Sequence, residues 1–591
     1  MEVVFLTEEF RFLPMNKEEM RLKSWNFLDI IIVTGDAYID HSSFGAAIIG
    51  RVLENQGYKV GIIAQPQSRN EYMKLGKPKL FFGITAGNMD TLVSNYTPLK
   101  RRRDQDAYSP SGKPGLRPDR ATIVYTNKIK GIFKDSITII GGIEASLRRF
   151  AHYDYLSNKI RRSILFDSKA DLLVYGMGEK PITEIANLLK AGIEIDEIRD
   201  VRGTCIKKRE LTPETIKMPS FSEVKNNKDK FIEAFLKIRA NSNPYNAKPL
   251  AQSQNGLYLY QNPPLLPLTS NELDAIYELP YQFKPHPSYK KEIPAFNTVK
   301  NSIVTHRGCF GACNFCAIYA HQGSVIQDRS IDSILQEIER ISKLETFHGV
   351  ISDLGGPSAG MYGMNCGIGK YCPEKSCLTP EICPHLKADF SKFRKLLEKA
   401  RNLPFIKHVF VRSGFRFDLL LEDIELLEEL MRHHISGQLK VAPEHIIDTT
   451  LKYMNKSTSE KFKKFVRVFK RLNKDTRRKL FIIPYWLAGH PGTTLSDQIE
   501  LARYLKLSHL YIKQTQLFIP TPMSASTCMF WTGKDPFTEE GVYVPYSYSE
   551  KKMQKALLHF KDPKQHQKIR KALKICNRED LIGNKKDSLV P

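Results

Sequence analysis

Six times between Thr298 and Pro522 an apolar, strand-like segment is followed by a polar loop, and amphipathic stretches separate successive copies. That rhythm constrains the fold more than any other feature of the chain. The strand segments are TVKNSIVTHRGC, FHGVISDLGGP, KHVFVRSGFRFD, GQLKVAPEH, KLFIIPYWLAGHPGTT and YIKQTQLFIPTP. Between them SILQEIERISKL, FRKLLEKARNL, LEDIELLEELMRHH, SEKFKKFVRVFKRLN and SDQIELARYLKLS carry apolar residues at helical spacing. Strands joined through helices run parallel, and six such steps predict a (β/α)6 partial TIM barrel with its reactive groups at the carboxyl-terminal mouth.

A second alternation occupies the amino-terminal third. The run Leu28 to Thr34 leads into GDAYIDHSSFG and AAIIGRVLENQGYKVGIIAQP, and the pattern continues through KLFFGITAG, ATIVYTN, SITIIGG and ADLLVYGMGEKPITEIANLLKAG. Apolar strands ending in glycine-containing turns predict a Rossmann-like parallel sheet wound on both faces, over residues 1–205. Residues 206–296, lysine-rich and then proline-rich, read as a helical and extended connector that forms no sheet. The barrel is expected over 297–530 with a Cys-rich insertion at 362–386, and 531–591 as a basic helical extension frayed at its end. A chain of 591 residues holds this many units comfortably.

The opening residues carry acids among apolar side chains and resemble neither a secretory signal nor an anchor, and no long apolar run crosses a membrane. A cytoplasmic protein without membrane association is expected. Most of the ten cysteines crowd between Cys309 and Cys383, which argues for metal over a disulfide framework. The formal charge of +25 suits phosphates, acidic lipids or nucleic acid, although lysines spread along the chain also fit a merely solvated basic surface.

Directly after the first barrel strand stands HRGCFGACNFCAIYAHQG, with Cys309, Cys313 and Cys316 in a CxxxCxxC spacing. Three thiolates on a four-iron cluster leave one iron open to a cosubstrate. Gly308 and Gly311 let the loop turn tightly, and Phe315 offers a flat surface for a ring such as adenine. The alternative on the residues alone is a three-cysteine zinc site completed by His306 or His321.

From about Asn297 to Ser526 the chain resembles the radical S-adenosylmethionine (SAM) superfamily. That resemblance implies a [4Fe-4S] cluster on the three cysteines, reductive cleavage of SAM to a 5′-deoxyadenosyl radical, and a reductant such as flavodoxin or ferredoxin. It places SAM contacts at Gly355 and Gly356 of DLGGP, where Pro357 replaces the acid the family often carries. Further contacts are implied at Arg412 and Ser413, at Glu444 in VAPEH, and at Gly489 in AGHPG. With GDAYIDHSSFG, DLGGPSAGMYG and LKVAPEH, the whole chain is similar to the YgiQ-type radical SAM proteins, whose substrate the resemblance does not supply.

Cys366, Cys372, Cys377 and Cys383 are candidate ligands of a second metal, zinc or a further iron-sulfur cluster, and their irregular spacing does not decide between the two. The amino-terminal unit resembles a cobalamin-binding-like domain. Histidine ligation of cobalt there uses DxHxxG, whereas Asp40 and His41 are adjacent here, so no bound cobalamin is expected and His41 is read as capping the next helix. Glu144, Arg148, Arg149, His152 and Asp154 in GGIEASLRRFAHYDY form either a polar substrate site or a solvated helix face. A rival reading makes the chain an RNA- or ribosome-associated protein with structural metal sites, and an intermediate one makes it a radical modifier of RNA.

Overall fold

The computed structural model describes residues 11–369, 372, 376–510, 512 and 514–591. The opening ten residues, residues 370, 371 and 373–375 of the Cys-rich insertion, and Tyr511 and Lys513 of the sixth barrel segment lie outside the described residues. Two compact units form, one comprising residues up to Lys300 together with Ala320–Gly323, the other Asn301–Tyr319 and Ser324–Pro591.

In the first unit, Ile30–Thr34 is buried at every position, as befits a strand covered on both faces. It pairs in parallel with Val60–Ala64 on one side and Phe81–Thr85 on the other, and Ile137–Gly141 and Leu172–Val174 continue the parallel run. ATIVYTN is not a strand. Its buried residues Ala121, Thr122, Tyr125, Thr126 and Ile129 follow the helical period of the helix Ala121–Ile132.

The stretch 206–296 corrects the expectation of a connector without a sheet. Thr204–Lys208 pairs antiparallel with Leu172–Val174, the hairpin Leu250–Gln254/Leu257–Gln261 adds to it, and Ile216–Lys217 closes the edge of a nine-stranded sheet. Asn255 and Gly256, at φ 52° and 78°, make the two-residue turn. Asn-Gly is the pair such a turn favours, so QNGLYLY carried the signal.

In the second unit, Ser302–Val304 pairs in parallel with Asp353–Gly355, and Val350–Ile351 with His408–Val409. A parallel bridge from Phe415 to Val441 reaches Gln438–Glu444, which pairs with Phe481–Ala488 and through it Gln514–Leu517. Each strand thus neighbours the next in sequence, which is the predicted partial barrel. Outside it lie helices such as Ile331–Ser342, Ser391–Arg401 and Leu495–Ser508. The carboxyl end of the chain is pinned, contrary to the expected fraying. Gly583 donates to the Val590 carbonyl, Lys506 donates to that of Ser588, and Leu589 and Val590 are buried.

Candidate active site

The cysteine loop starts where the first barrel strand ends, and a short ladder pairs His306 and Arg307 with Asp328 and Gln327 across its base. Gly308 holds φ 85°, and a Cβ there would fall 2.1 Å from the Val325 carbonyl oxygen, so only glycine allows this crossing. At Gly311 the ideal Cβ position lies 3.3 Å from Cys309 Sγ, 3.9 Å from Cys313 Sγ and 3.5 Å from Arg416 Nη1. Two of the three sulfurs therefore flank one side-chain-free backbone position. The Cys316 amide donates to the Cys313 carbonyl at 3.1 Å, which folds the third cysteine back toward the second.

Neighbouring elements brace the loop. The Asn314 amide and Nδ2 donate to the carbonyls of Met454 and Tyr453, and Asn455 Nδ2 donates to the Ala312 carbonyl at 2.8 Å. The Ser526 amide donates back to the Asn314 carbonyl. Phe315 meets the edge of His490, whose ring also contacts Phe518. Burial raises the Cys309 thiol and pushes Cys316 up to about 12, with the neighbouring cysteines adding to both. Such thiols become thiolates only with a cationic partner, metal or guanidinium. Among the described residues no three His, Cys, Asp or Glu side chains converge on a single-ion position. Ligands of a cluster sit on separate irons and need no such convergence. His306, the proposed completion of a zinc site, is fully buried, and its Nδ1 lies 2.8 Å from the Thr305 hydroxyl. The donor set and the glycine cradle fit a cluster held by Cys309, Cys313 and Cys316.

The other candidate residues line the barrel mouth in different ways. A Cβ on Gly356 would fall 2.4 Å from the His306 ring, and one on Gly355 would meet Ser413 Oγ at 2.8 Å. The two glycines therefore permit close packing, and the Gly355 carbonyl accepts from Thr305. Asp353, which sequence reasoning passed over, accepts from the amides of Arg412 and Ser413 at 2.7 and 3.0 Å and from the Ser413 hydroxyl at 2.6 Å. Arg412 is exposed and in no ion pair among the described residues. Glu444 sits at a bulge with φ 68°, an uncommon conformation for a side chain of this size. Burial raises its pKa against the pull of Lys456, 3.8 Å away, and of Arg416. Gly489 holds φ 71°, and its amide donates to Gln554 of the helix Tyr548–Leu557. Gln554 was also missed, because only the fold brings a helix 65 residues downstream onto this loop.

Of the insertion, Cys366 lies in a two-residue ladder with Leu386, and the Cys383 amide donates to the Cys377 carbonyl at 2.9 Å. Cys372 is described without its neighbours. Thr379 hydrogen bonds Asn455, the residue that also holds Ala312.

In the first unit the residues read as either a polar site or a solvated face are buried. Parallel strands in this order leave a crevice beyond the ends of Ile30–Thr34 and Phe81–Thr85. Arg117 fills it, fully buried, donating to Asp36 at 2.7 Å and to the Ala86 carbonyl at 2.9 Å. Arg148 pairs with buried Asp90, Arg149 donates to Gln261, and Glu144 accepts from the amides of Thr91 and Thr122. These side chains are buried, so they do not form a solvated face. His41 is buried between Phe44 and Phe283, and its Nδ1 accepts from the Ser43 amide at the entry to the helix Gly45–Asn55. Asp40 pairs with buried Arg51.

Three family models match the chain: Radical SAM N-terminal over residues 12–302, Radical SAM superfamily over 303–505, and a domain of unknown function, DUF3362, over 513–591. The chain is a radical SAM iron-sulfur enzyme. Among curated proteins, a UPF0313 protein of Clostridium botulinum (strain 657 / Type Ba4) is 50% identical over 98% of this chain and 92% of its own length. One from Methanocella arvoryzae is 48% identical over 98% and 97%. The chain belongs to the UPF0313 family. Of solved structures, the radical SAM methyltransferase TsrM from Kitasatospora setae aligns at TM-score 0.48 and 15% identity, over 85% of this chain and 77% of that one. No helix among the described residues is long and apolar enough to cross a membrane.

Proposed function

We propose that Cys309, Cys313 and Cys316 hold the [4Fe-4S] cluster, and that SAM binds across the mouth bounded by Gly355, Gly356, Ser413, Glu444 and Gly489. The observation carrying this reading is the glycine cradle at residue 311, which sets two cysteine sulfurs and a guanidinium around one backbone position. The chemistry this centre supplies is the one-electron cleavage of SAM to a 5′-deoxyadenosyl radical. The protein's own part is to orient and to enclose. Asp353 fixes the turn at Arg412 and Ser413, Gln554 fixes the Gly489 loop, and Glu444 presents a half-buried carboxyl at a strained bulge. Anaerobically reconstituted protein should carry about four cluster irons at this site, and the triple Cys309/Cys313/Cys316→Ala variant should lack them. Equal iron and sulfide in the two proteins would contradict the assignment.

The crowding of four cysteines in the sequence of the insertion supports a structural metal, although their side chains do not converge on one ion position among the described residues, so Cys366→Ala or Cys377→Ala should lower metal content and melting temperature before activity. Unchanged metal and melting would leave them as plain thiols. The Arg117-filled crevice and the enclosed His41 support a first unit without cobalamin. The crowding of most cysteines at metal-ligand spacings, in place of a disulfide framework, supports a cytoplasmic location.

A nucleic-acid substrate is a second reading, and the helix Ser459–Asp475 with the turn after it favours it. Lys464, Lys470, Arg471, Lys474, Arg477 and Lys479 are exposed there and in no ion pair among the described residues. RNA binding should weaken steeply as salt rises, and reversing Lys464, Lys470 and Lys474 to Glu should flatten that dependence by roughly two to three counterions. Salt-independent binding, or none at low salt, would remove this reading.

A further inference from the structure

Arg416 stands between the third barrel strand and the helix Phe417–Leu420, and it is buried. Its Nε donates to Asp418 Oδ1 at 3.0 Å, and Nη2 donates to Asp418 Oδ2 at 2.5 Å and to Ser457 Oγ at 3.4 Å. The Ser457 hydroxyl donates in turn to the same carboxylate. Two of the guanidinium nitrogens are thus tied down, and the third, Nη1, lies 3.5 Å from Cys313 Sγ. A planar fork clamped on one side presents its remaining N–H groups in a fixed direction. That direction is a candidate cluster sulfur.

We propose that Arg416 is a positioning residue that holds the Cys313 thiolate and sets the reduction potential of the cluster. The role rests on the assignment of Cys309, Cys313 and Cys316 as cluster ligands. One-electron reduction takes an electron from an external donor such as dithionite, transfers no proton, and adds negative charge to an enclosed site that already holds three thiolates. A hydrogen bond to a ligand sulfur and a nearby fixed cation both favour the reduced state, and these are recognised ways in which a protein tunes such a cluster. Asp418 and Ser457 keep the cation in place. Nothing in the local sequence FRFD points to a sulfur 103 residues upstream.

The test is an EPR-monitored redox titration of reconstituted native protein, R416K and R416Q, with iron content and the melting of the metal-free proteins measured alongside. R416Q should be at least tenfold harder to reduce, a midpoint lower by about 59 mV or more for one electron. R416K keeps the charge and should lie nearer native than R416Q. If R416Q takes up no iron while R416K loads fully, the role is equally supported, since the charge is then what the thiolates require. R416Q loading fully at the native midpoint would overturn it, as would R416K behaving like R416Q while both melt like native protein. Native protein that binds no cluster at all would instead contradict the ligand assignment on which this role depends.

Discussion

Gly356 shows how little freedom the site's backbone has. His306 occupies the space a side chain would need, 2.4 Å from the ideal Cβ, and it is wholly buried. Gly356→Ala should destabilise the metal-free protein by about 2 kcal/mol, since overpacking a filled core forces both partners to shift. Thermal unfolding without metal measures it, and an unchanged melting temperature would mean that His306 moves freely. The histidines themselves set a pH dependence. Burial lowers His306 to about 4 and His490 to about 3, and burial with repulsion from His490 lowers His445 to about 3. Their folded values lie below the ordinary 6.5, so the unfolded chain binds more protons between those limits. Stability is therefore complete above about pH 6.5 and falls as pH drops toward 4. Melting temperatures of metal-free protein across that window should decline on the acid side, and a flat profile would contradict the burial of these rings. The cysteine loop was readable in the sequence because its spacing is itself the chemistry. Asp353 and Arg416 were not, because nothing local distinguishes a carboxylate that caps a distant turn, or a guanidinium that reaches a distant sulfur, from one on a surface.

At the scale of elements, the six barrel strands and their helices were readable because each carries its own periodicity. The hairpin Leu250–Gln254/Leu257–Gln261 was lost among prolines although Asn255-Gly256 announced it, and Ala121–Ile132 was confused with a strand because both patterns are apolar over a few residues. The helix Tyr548–Leu557 has a role that only packing reveals. Gln554 accepts from the Gly489 amide and donates to the Thr493 carbonyl, bracketing the loop at the end of the fifth barrel strand. Gln554→Leu leaves two buried backbone groups without partners and should cost about 3 kcal/mol. The same variant should raise the SAM dissociation constant through the loosened loop. Native stability together with native SAM affinity would show that the helix merely covers the barrel.

Across the whole molecule, the amino-terminal sheet resembles a cofactor-binding architecture and carries buried ion pairs beyond its strand ends, while the barrel keeps its cysteine loop framed by glycines. Function lies in sites and not in architecture, and the cysteine loop proposed to carry the chemistry belongs to the barrel. Cleavage of SAM should depend on the three cysteines of that loop. Reconstituted native protein and the Cys309/Cys313/Cys316→Ala variant, each reduced with dithionite in the presence of SAM, are compared for 5′-deoxyadenosine by chromatography. The native protein should form it and the variant should form none. Equal amounts from both, or none from fully clustered native protein, would contradict that expectation.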